Sequence, residues 1–216
     1  MTLKFLQVNL GRGREAQDLM TQKAVEENTD ILLISEPYRK PLSQAWYEDS
    51  SKRAAIMIRN VRLTLHEVCE SNAGFVYATI GRTRIYSCYF SPNMEHEQFV
   101  SAISNLEASI RSFRHKVVIG GDFKSKSPEW NSNKLDNRGI ALCETIASLN
   151  LTVFNVGDKL TFRREAGGSI IDITFGSGEL CNVNMNWMVL EDLTLTREVS
   201  QRLHSDLPEF LICYRR

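Results

Sequence analysis

The stretch VVIGGDFKSKSPEW, residues Val117 to Trp130, combines an apolar run with two glycines, one acid and two closely spaced lysines. The apolar run is typical of a buried strand that ends near Asp122. Lys124 follows two residues later, so a carboxylate and an ammonium stand together at one strand end. Such a pair indicates a place where an anion or a metal is, or once was, bound.

Length and composition limit what surrounds this strand. The chain has 216 residues, 43% of them hydrophobic, and only five prolines, which predicts one large domain over residues 1–216. The net charge is zero, so any contact with phosphates must come from a local basic patch. Five scattered cysteines, none at metal-ligand spacing, predict reduced thiols in an intracellular protein. We expect neither a signal peptide nor a membrane span.

Hydrophobic periodicity then predicts alternating elements on both sides of the opening stretch. A strand at 3–10, a helix at 12–27 and a strand at 30–37 form a βαβ unit. Further helices are predicted at 95–113 and 137–149, and further strands at 54–59, 74–81, 84–90, 117–123, 151–155, 170–175, 186–192 and 207–214. Many apolar strands in two helix-bearing halves predict two packed sheets covered by helices.

Polar residues recur where these strands end. They are Asn9, Glu36, Tyr89, Asp122 and, between apolar neighbours, Asp172. Each one alone also has a structural interpretation, as a turn former, a solvated strand end or a buried carboxylate held by backbone donors. Together, an amide and several carboxylates provide the oxygen ligands that a hard divalent cation such as Mg²⁺ requires.

Six motifs in order carry a resemblance to a known family. They are QVNL (7–10), SEPY (35–38), YSCYFSPN (86–93), GGDFKSKSPEW (120–130), LDNRG (135–139) and SIIDITF (169–175). The chain resembles the endonuclease domain of insect non-LTR retrotransposons over residues 3 to about 195. That domain is part of the endonuclease/exonuclease/phosphatase superfamily, with apurinic endonucleases and DNase I.

The resemblance implies a fold, a cofactor and a substrate. The fold is a DNase-I-like four-layer α/β sandwich, in which two mostly antiparallel sheets pack together and are flanked by helices. The activity is the nicking of double-stranded DNA with Mg²⁺ or Mn²⁺, which leaves a 3′-hydroxyl as a primer. It also implies a nuclear location and a monomer.

The resemblance assigns roles position by position. Asn9 and Glu36 would hold the metal, and Tyr89 would contact the scissile phosphate. Asp122 would orient or deprotonate the attacking water. Asp172 would orient a catalytic histidine, as a carboxylate behind an imidazole does.

Two departures from the family pattern weaken the catalytic prediction. The family has asparagine where this chain has Lys124, and neither alignment of the family's closing Ser-Asp-His motif yields its histidine here. Counting without gaps places Glu198 at the metal-site acid, whereas alignment of the final strand places Asp206 there. His204, two residues before Asp206, is the candidate substitute for the missing histidine. Losing one such group typically costs about 10²–10⁴ in rate, and two such losses at one site predict very low activity.

Lys124 is nevertheless placed in the catalytic set, as a built-in counter-ion. In an extended strand end, residues two apart point to the same side, so its ammonium would reach Asp122. It would supply part of the charge of the metal, and the protein would fold without a divalent ion.

Basic residues near the strand ends suggest contacts with nucleic acid. Arg12 and Arg14 follow the first strand, and either contact phosphates or form a solvated helix start. Lys126 and Lys134 flank Trp130, a combination suited to backbone contact and base stacking. The alternative for Trp130 is that it packs its loop against the protein body.

Two functions therefore remain open. The first is a divalent-metal endonuclease with an eroded site. The second is a catalytically dead relative that serves as a nucleic-acid or protein binding module. The two share one fold, so the fold does not distinguish them.

Overall fold

The computed structural model describes residues 3–42, 45–164, 167–183, 186–190 and 209–213. Within these ranges, helices α1 (Arg14–Glu26), α2 (His96–Arg111) and α3 (Asn137–Ser148) alternate with strands. The strands are β1 (Lys4–Asn9), β2 (Ile31–Ser35), β3 (Ala45–Glu48), β4 (Ala54–Ile58), β5 (Leu65–Cys69), β6 (Phe75–Ile80), β7 (Thr83–Tyr89), β8 (Lys116–Asp122), β9 (Leu151–Val153), β10 (Phe162–Arg164), β11 (Gly167–Ser169), β12 (Asp172–Ser177), β13 (Asn186–Leu190) and β14 (Glu209–Cys213). No described helix is long and apolar enough to cross a membrane.

Twelve of these strands form two six-stranded sheets. The first sheet has the order β13-β14-β1-β2-β4-β3, and the second has the order β5-β6-β7-β8-β12-β9. Both are mixed. In the second sheet only β7 and β8 are parallel, whereas in the first sheet the strands β13, β14, β1 and β2 run parallel to one another and β4 is antiparallel to β2. The expectation of mostly antiparallel pairing therefore describes the second sheet better than the first.

Side-chain alternation along the strands builds the layers. On β1, Phe5 packs into the core between the two sheets, while Leu6 and Val8 face Met20 of α1 on the outer side. On the outer face of the second sheet, α2 and α3 contribute side chains to a separate core, Phe99 and Leu142 among them. The layers are thus α1, first sheet, second sheet, and the α2–α3 pair, which confirms the predicted four-layer sandwich.

The strands that the periodicity did not predict are short or lie at edges. Strands β3 and β5 are edge strands, and every residue of β5 is at least partly exposed. Strands β10 and β11 form a separate two-stranded hairpin. Edge strands bury little apolar surface, so their sequences carry no clear alternation of hydrophobic and polar residues.

The two glycines of the opening stretch let β8 approach its neighbours closely. A Cβ atom on Gly120 would lie 2.4 Å from Oε1 of Gln7 and 2.6 Å from Cδ1 of Leu33, both in the first sheet. One on Gly121 would lie 2.0 Å from the backbone oxygen of Cys88 in β7. The Gly-Gly pair therefore brings the ends of the two sheets together just before Asp122.

Candidate active site

The predicted strand ends converge at one edge of the sandwich. Asp122 at the end of β8 is the register partner of both Tyr89 in β7 and Asp172 in β12. From the first sheet, the amide nitrogen Nδ2 of Asn9 donates a hydrogen bond of 2.7 Å to Oδ2 of Asp122. Glu36 directly follows β2, whose last residue pairs with Asn9. We call these five residues the carboxylate rim.

Asp122 is the centre of the rim, and both of its carboxylate oxygens are engaged. Its side chain is 1% exposed, and the Lys124 ammonium lies 2.5 Å from Oδ2, the atom that also accepts from Asn9. The backbone N–H of Lys124 donates to Oδ1 at 3.2 Å. Burial raises the pKa of Asp122, while Lys124 and Asn9 act in the opposite direction.

Lys124 reaches Asp122 by a route that differs from the predicted one. Its φ is 50°, a left-handed conformation, so the chain turns at this residue instead of continuing as an extended strand. The turn folds the side chain back onto Asp122, and the ammonium also lies 5.2 Å from the centroid of the Phe162 ring. The predicted ion pair is present, but the predicted extended geometry is wrong.

Asp172 is buried beside Asp122 and held from several sides. Burial raises its pKa well above the ordinary value, and the charge of Asp122 adds to the rise, whereas a hydrogen bond with Thr161 and the charge of Lys124 oppose it. The backbone N–H of Asp172 donates to Oγ1 of Thr161 at 3.1 Å, and its carbonyl accepts from Nδ2 of Asn155 at 3.1 Å. Sequence reasoning missed Thr161 and Asn155, since neither carries a local motif.

Glu36 has a cationic partner that the sequence analysis also missed. Its Oε1 lies 3.3 Å from Nη1 of Arg53, and the Arg53 guanidinium carbon lies 5.8 Å from the centroid of the Tyr89 ring. Burial raises the pKa of Tyr89, and the charge of Glu36 and a hydrogen bond with it raise that pKa further. Arg53 lies just before β4, which pairs antiparallel with β2, so only strand pairing brings it to Glu36.

As they stand, these residues do not fit a hard divalent cation. Oδ1 of Asn9 accepts from the backbone N–H of Gly11 at 2.8 Å, and its amide nitrogen faces the carboxylate. Glu36 is paired with Arg53 and Asp122 with Lys124. Among the residues with described positions, no group of three or more His, Cys, Asp or Glu side chains could hold a metal ion. The predicted Asp206, its alternative Glu198 and the substitute His204 lie outside the described residues.

The predicted DNA-contacting residues occupy different environments. Arg12 is exposed, and its backbone N–H donates to the carbonyl of Glu36 at 2.8 Å, which places it beside the rim. Arg14 is exposed in the first turn of α1, and Lys134 is also exposed, while Lys126 is half-buried. These four side chains are accessible to a phosphate to different degrees.

Trp130 is in the core, so the prediction that it stacks on nucleic acid is wrong. Its side chain is 0% exposed and packs in the core between the second sheet and helices α2 and α3. Its indole N–H donates to the carbonyl of Ser125 at 3.3 Å. A ring without solvent exposure cannot contact a base, and the alternative interpretation, that Trp130 packs its loop against the body, describes what is observed.

The LDNRG motif supports the rim structurally. The Asp136 carboxylate caps α3 by accepting from the backbone N–H of Gly139 at 2.7 Å, and it also accepts from the backbone N–H of Lys126 at 3.1 Å. Arg138 donates to the carbonyls of Ser91 and Met94. The motif thereby connects the loop after β8 with the loop after β7.

Two open pockets flank the rim. One, of about 670 Å³, is lined by Lys124 together with Asn93, His96 and Arg138. The other, of about 610 Å³, is lined by Arg53 and Tyr89 together with residues of α2. Lys124 and Arg53, the cations paired with the rim, thus each line one pocket.

Comparison with known proteins agrees with this architecture. A family profile described as endonuclease-reverse transcriptase matches residues 83–204. The endonuclease domain of TRAS1, a telomere-specific non-LTR retrotransposon, is 26% identical, with a TM-score of 0.69 over 83% of this chain and 87% of that chain. No curated protein sequence matches the chain.

More distant structures share the fold. The 3′-5′ exonuclease NExo from Neisseria meningitidis is 15% identical, with a TM-score of 0.62 over 82% of this chain and 88% of that chain. An AP endonuclease from Archaeoglobus fulgidus is 14% identical, with a TM-score of 0.63 over 82% of this chain and 88% of that chain. The predicted DNase-I-like sandwich is confirmed.

Proposed function

The chain belongs to the endonuclease-reverse transcriptase family, and we propose that it is a retrotransposon-type endonuclease domain that binds duplex DNA but nicks it very slowly or not at all. Its substrate would be double-stranded DNA, which implies a nuclear location, and it would act as a monomer. Any remaining nicking would depend on Mg²⁺ or Mn²⁺.

This proposal rests on one observation: the carboxylate oxygens of Asp122 are already engaged in hydrogen bonds and an ion pair. A carboxylate that orients or deprotonates a water needs a free lone pair directed at that water. Here Oδ2 accepts from both Asn9 and the Lys124 ammonium, and Oδ1 accepts from a backbone N–H, so three of the roughly four acceptor positions of the carboxylate are already used. An ammonium at 2.5 Å also stabilises the charged form of the carboxylate and so weakens it as a base.

Metal chemistry would need a rearrangement of the rim. A bound divalent ion would polarise the scissile phosphate and lower the pKa of a bound water molecule. Glu36 and Asn9 would be its ligands by resemblance, yet Glu36 is paired with Arg53 and the Asn9 oxygen with a backbone N–H. The described residues therefore support slow or absent nicking.

Contact with DNA does not require an intact catalytic centre. Phosphate contacts come from basic side chains and backbone N–H groups, and they carry no sequence information. Exposed Arg12 lies beside the rim, and the flanking pockets give Lys124 and Arg53 an open side. We expect weak binding that depends on salt and hardly on sequence.

A nicking assay on supercoiled plasmid tests the proposal. Wild-type protein with Mg²⁺ or Mn²⁺ should nick slowly or not at all, and Glu36→Ala should change little, since its carboxylate would not be acting as a metal ligand. Glu36→Ala also controls for contaminating nuclease. Robust nicking that this substitution abolishes would overturn the impaired-site proposal. Failure to shift a duplex at low salt would favour a protein-binding module instead.

A further inference from the structure

Each of the two acids assigned to metal and water chemistry has a cation of its own. Lys124 lies 2.5 Å from the Asp122 carboxylate, and Arg53 lies 3.3 Å from that of Glu36. Glu36 follows β2 of the first sheet, and Asp122 ends β8 of the second sheet. Of the two cations, Lys124 lies in the loop after β8 and Arg53 lies just before β4. Two independent ion pairs therefore neutralise one rim.

We propose that Lys124 and Arg53 are resident cations that replace the charge of a divalent metal, so that the rim is stable, and binds DNA phosphates, without one. The phosphate part of this inference rests on the proposed function. The stability part does not, because it concerns only the ion pairs within the chain.

Backbone conformation is the first supporting observation. Glu36 and Lys124 both have φ of 50°, a left-handed conformation that is uncommon for residues other than glycine and asparagine. Such conformations persist where the surrounding structure compensates their cost. At both positions the ion-pair partner also holds the backbone, since the Glu36 N–H donates to the carbonyl of Arg53 at 2.7 Å and the Lys124 N–H donates to Oδ1 of Asp122 at 3.2 Å.

Enclosure of the Lys124 ammonium is the second observation. The Lys124 side chain is only 17% exposed, and its ammonium lies near the Phe162 ring as well as Asp122. Removing the cation would leave the Asp122 carboxylate buried without its charge partner, which is destabilising. The pair is therefore part of the packed structure and differs from a surface salt bridge.

The third observation is that a metal would compete with these pairs. A hard ion at Oδ2 of Asp122 would have to displace the ammonium, and an ion at Oδ1 of Asn9 would share that oxygen with the N–H of Gly11. An ion at Oε1 of Glu36 would have to displace Arg53, and an ion at either oxygen would be repelled by the guanidinium charge. Divalent ions should consequently bind weakly and stabilise the folded state little.

Thermal melts in EDTA and in millimolar Mg²⁺ test the inference. The wild-type melting temperature should be the same in both. Lys124→Met, which keeps an unbranched side chain one atom shorter and removes the charge, should lower it in EDTA by roughly 3–8 °C. Lys124→Asn should also lower it in EDTA, but Mg²⁺ should then restore part of the loss by ligand linkage. Arg53→Met should likewise lower the melting temperature in EDTA.

Lys52 provides a matched control. It is another lysine in a left-handed conformation, with φ of 55°, but its side chain is exposed. Lys52→Met should therefore leave the melting temperature nearly unchanged in both buffers. If Lys124→Met behaves like Lys52→Met, or if Mg²⁺ stabilises the wild type by several degrees, the inference is wrong.

A measurement on the wild type alone covers the case in which the variants do not fold. Mn²⁺ is titrated into the protein and followed by electron paramagnetic resonance. The added Mn²⁺ should remain free, even at protein concentrations at which a genuine metal site would bind most of the ion. Tight binding of one Mn²⁺ would overturn the resident-cation inference. A mobility shift in EDTA and in Mg²⁺ tests the phosphate part, with equal affinity expected. Absence of any shift would contradict the proposed function and leave the melts to decide this inference.

Discussion

Asp122 and Asp172 are register partners on adjacent antiparallel strands, so two buried carboxyl groups share one end of the second sheet. Burial and the charge of Asp122 raise the pKa of Asp172 well above its ordinary value. Thr161 and Lys124 face Asp172 and reduce this rise without cancelling it. The relationship makes the stability of the domain depend on pH.

The unfolding free energy of the Asp172→Asn variant, relative to that of the wild type, should increase as the pH rises. The unfolded chain releases this proton near the usual aspartate pKa of about 3.9, whereas the folded protein keeps it until its raised pKa is reached. Between the two pKa values the folded state binds more protons, so wild-type stability falls with increasing pH. The asparagine has no such proton. Urea unfolding at pH 5 and pH 8 measures the difference.

Asp158, which is exposed, offers the matched substitution for that experiment. Asp158→Asn should shift stability nearly equally at both pH values. A wild-type-to-Asp172→Asn difference that does not change with pH would show that Asp172 carries no retained proton.

Binding to duplex DNA should weaken with salt, and Arg12 should contribute to that dependence. Arg12→Ala should lower affinity for unrelated duplex sequences alike and reduce the slope of log K against log salt by about one. Arg62→Ala is the control, since Arg62 is exposed beyond the opposite end of β4. Mobility shifts over a range of salt concentrations measure both slopes. If Arg12→Ala and Arg62→Ala lose DNA affinity equally, Arg12 is not part of the surface that contacts DNA.

Trp130 should matter for folding and not for DNA. Trp130→Ala should cost about 3–5 kcal/mol of unfolding free energy, because it empties a fully buried site. Trp130→Phe retains most of the buried surface and should bind DNA as the wild type does. Urea unfolding and mobility shifts on the same samples separate the two effects. A stable Trp130→Phe protein with lost DNA binding would contradict the assignment to the core.

Gly121 should tolerate no side chain. A Cβ atom there would lie 2.0 Å from the Cys88 backbone oxygen, and backbone atoms of a paired strand cannot move away cheaply. Gly121→Ala should cost more than about 3 kcal/mol or prevent folding. Gly81→Ala is the comparison, because Gly81 has φ of +57° but no heavy atom within 4 Å of its Cβ position. Gly81→Ala should cost only about 1–2 kcal/mol, the cost of a left-handed conformation for a residue with a Cβ atom.

The unfolding midpoints of the two glycine variants show whether steric contact or backbone conformation accounts for the loss at Gly121. Similar losses for Gly121→Ala and Gly81→Ala would mean that backbone conformation, and not the close approach of β8 to β7, explains the need for glycine at position 121.

Much of the architecture was predictable from periodicity. The βαβ opening, the two later helices and the long buried strands were all predicted, with ends that differ by a few residues. Asn9, Glu36, Tyr89, Asp122 and Asp172 were identified because polar residues that end apolar strands stand out in sequence. Edge strands such as β3 and β5 were missed, since they bury too little to show a pattern.

The amino-acid order by itself determined the strands, the helices and the residues at the rim, because burial imposes short-range periodicities and interrupts them where polar groups are needed. Only the tertiary structure decided which charges meet. Arg53 is 17 residues from Glu36 and reaches it through the pairing of β2 with β4, and Lys124 reaches Asp122 through a left-handed turn. Electrostatic interactions depend on distance in space, and that distance is set by strand pairing and backbone turns that no local pattern encodes.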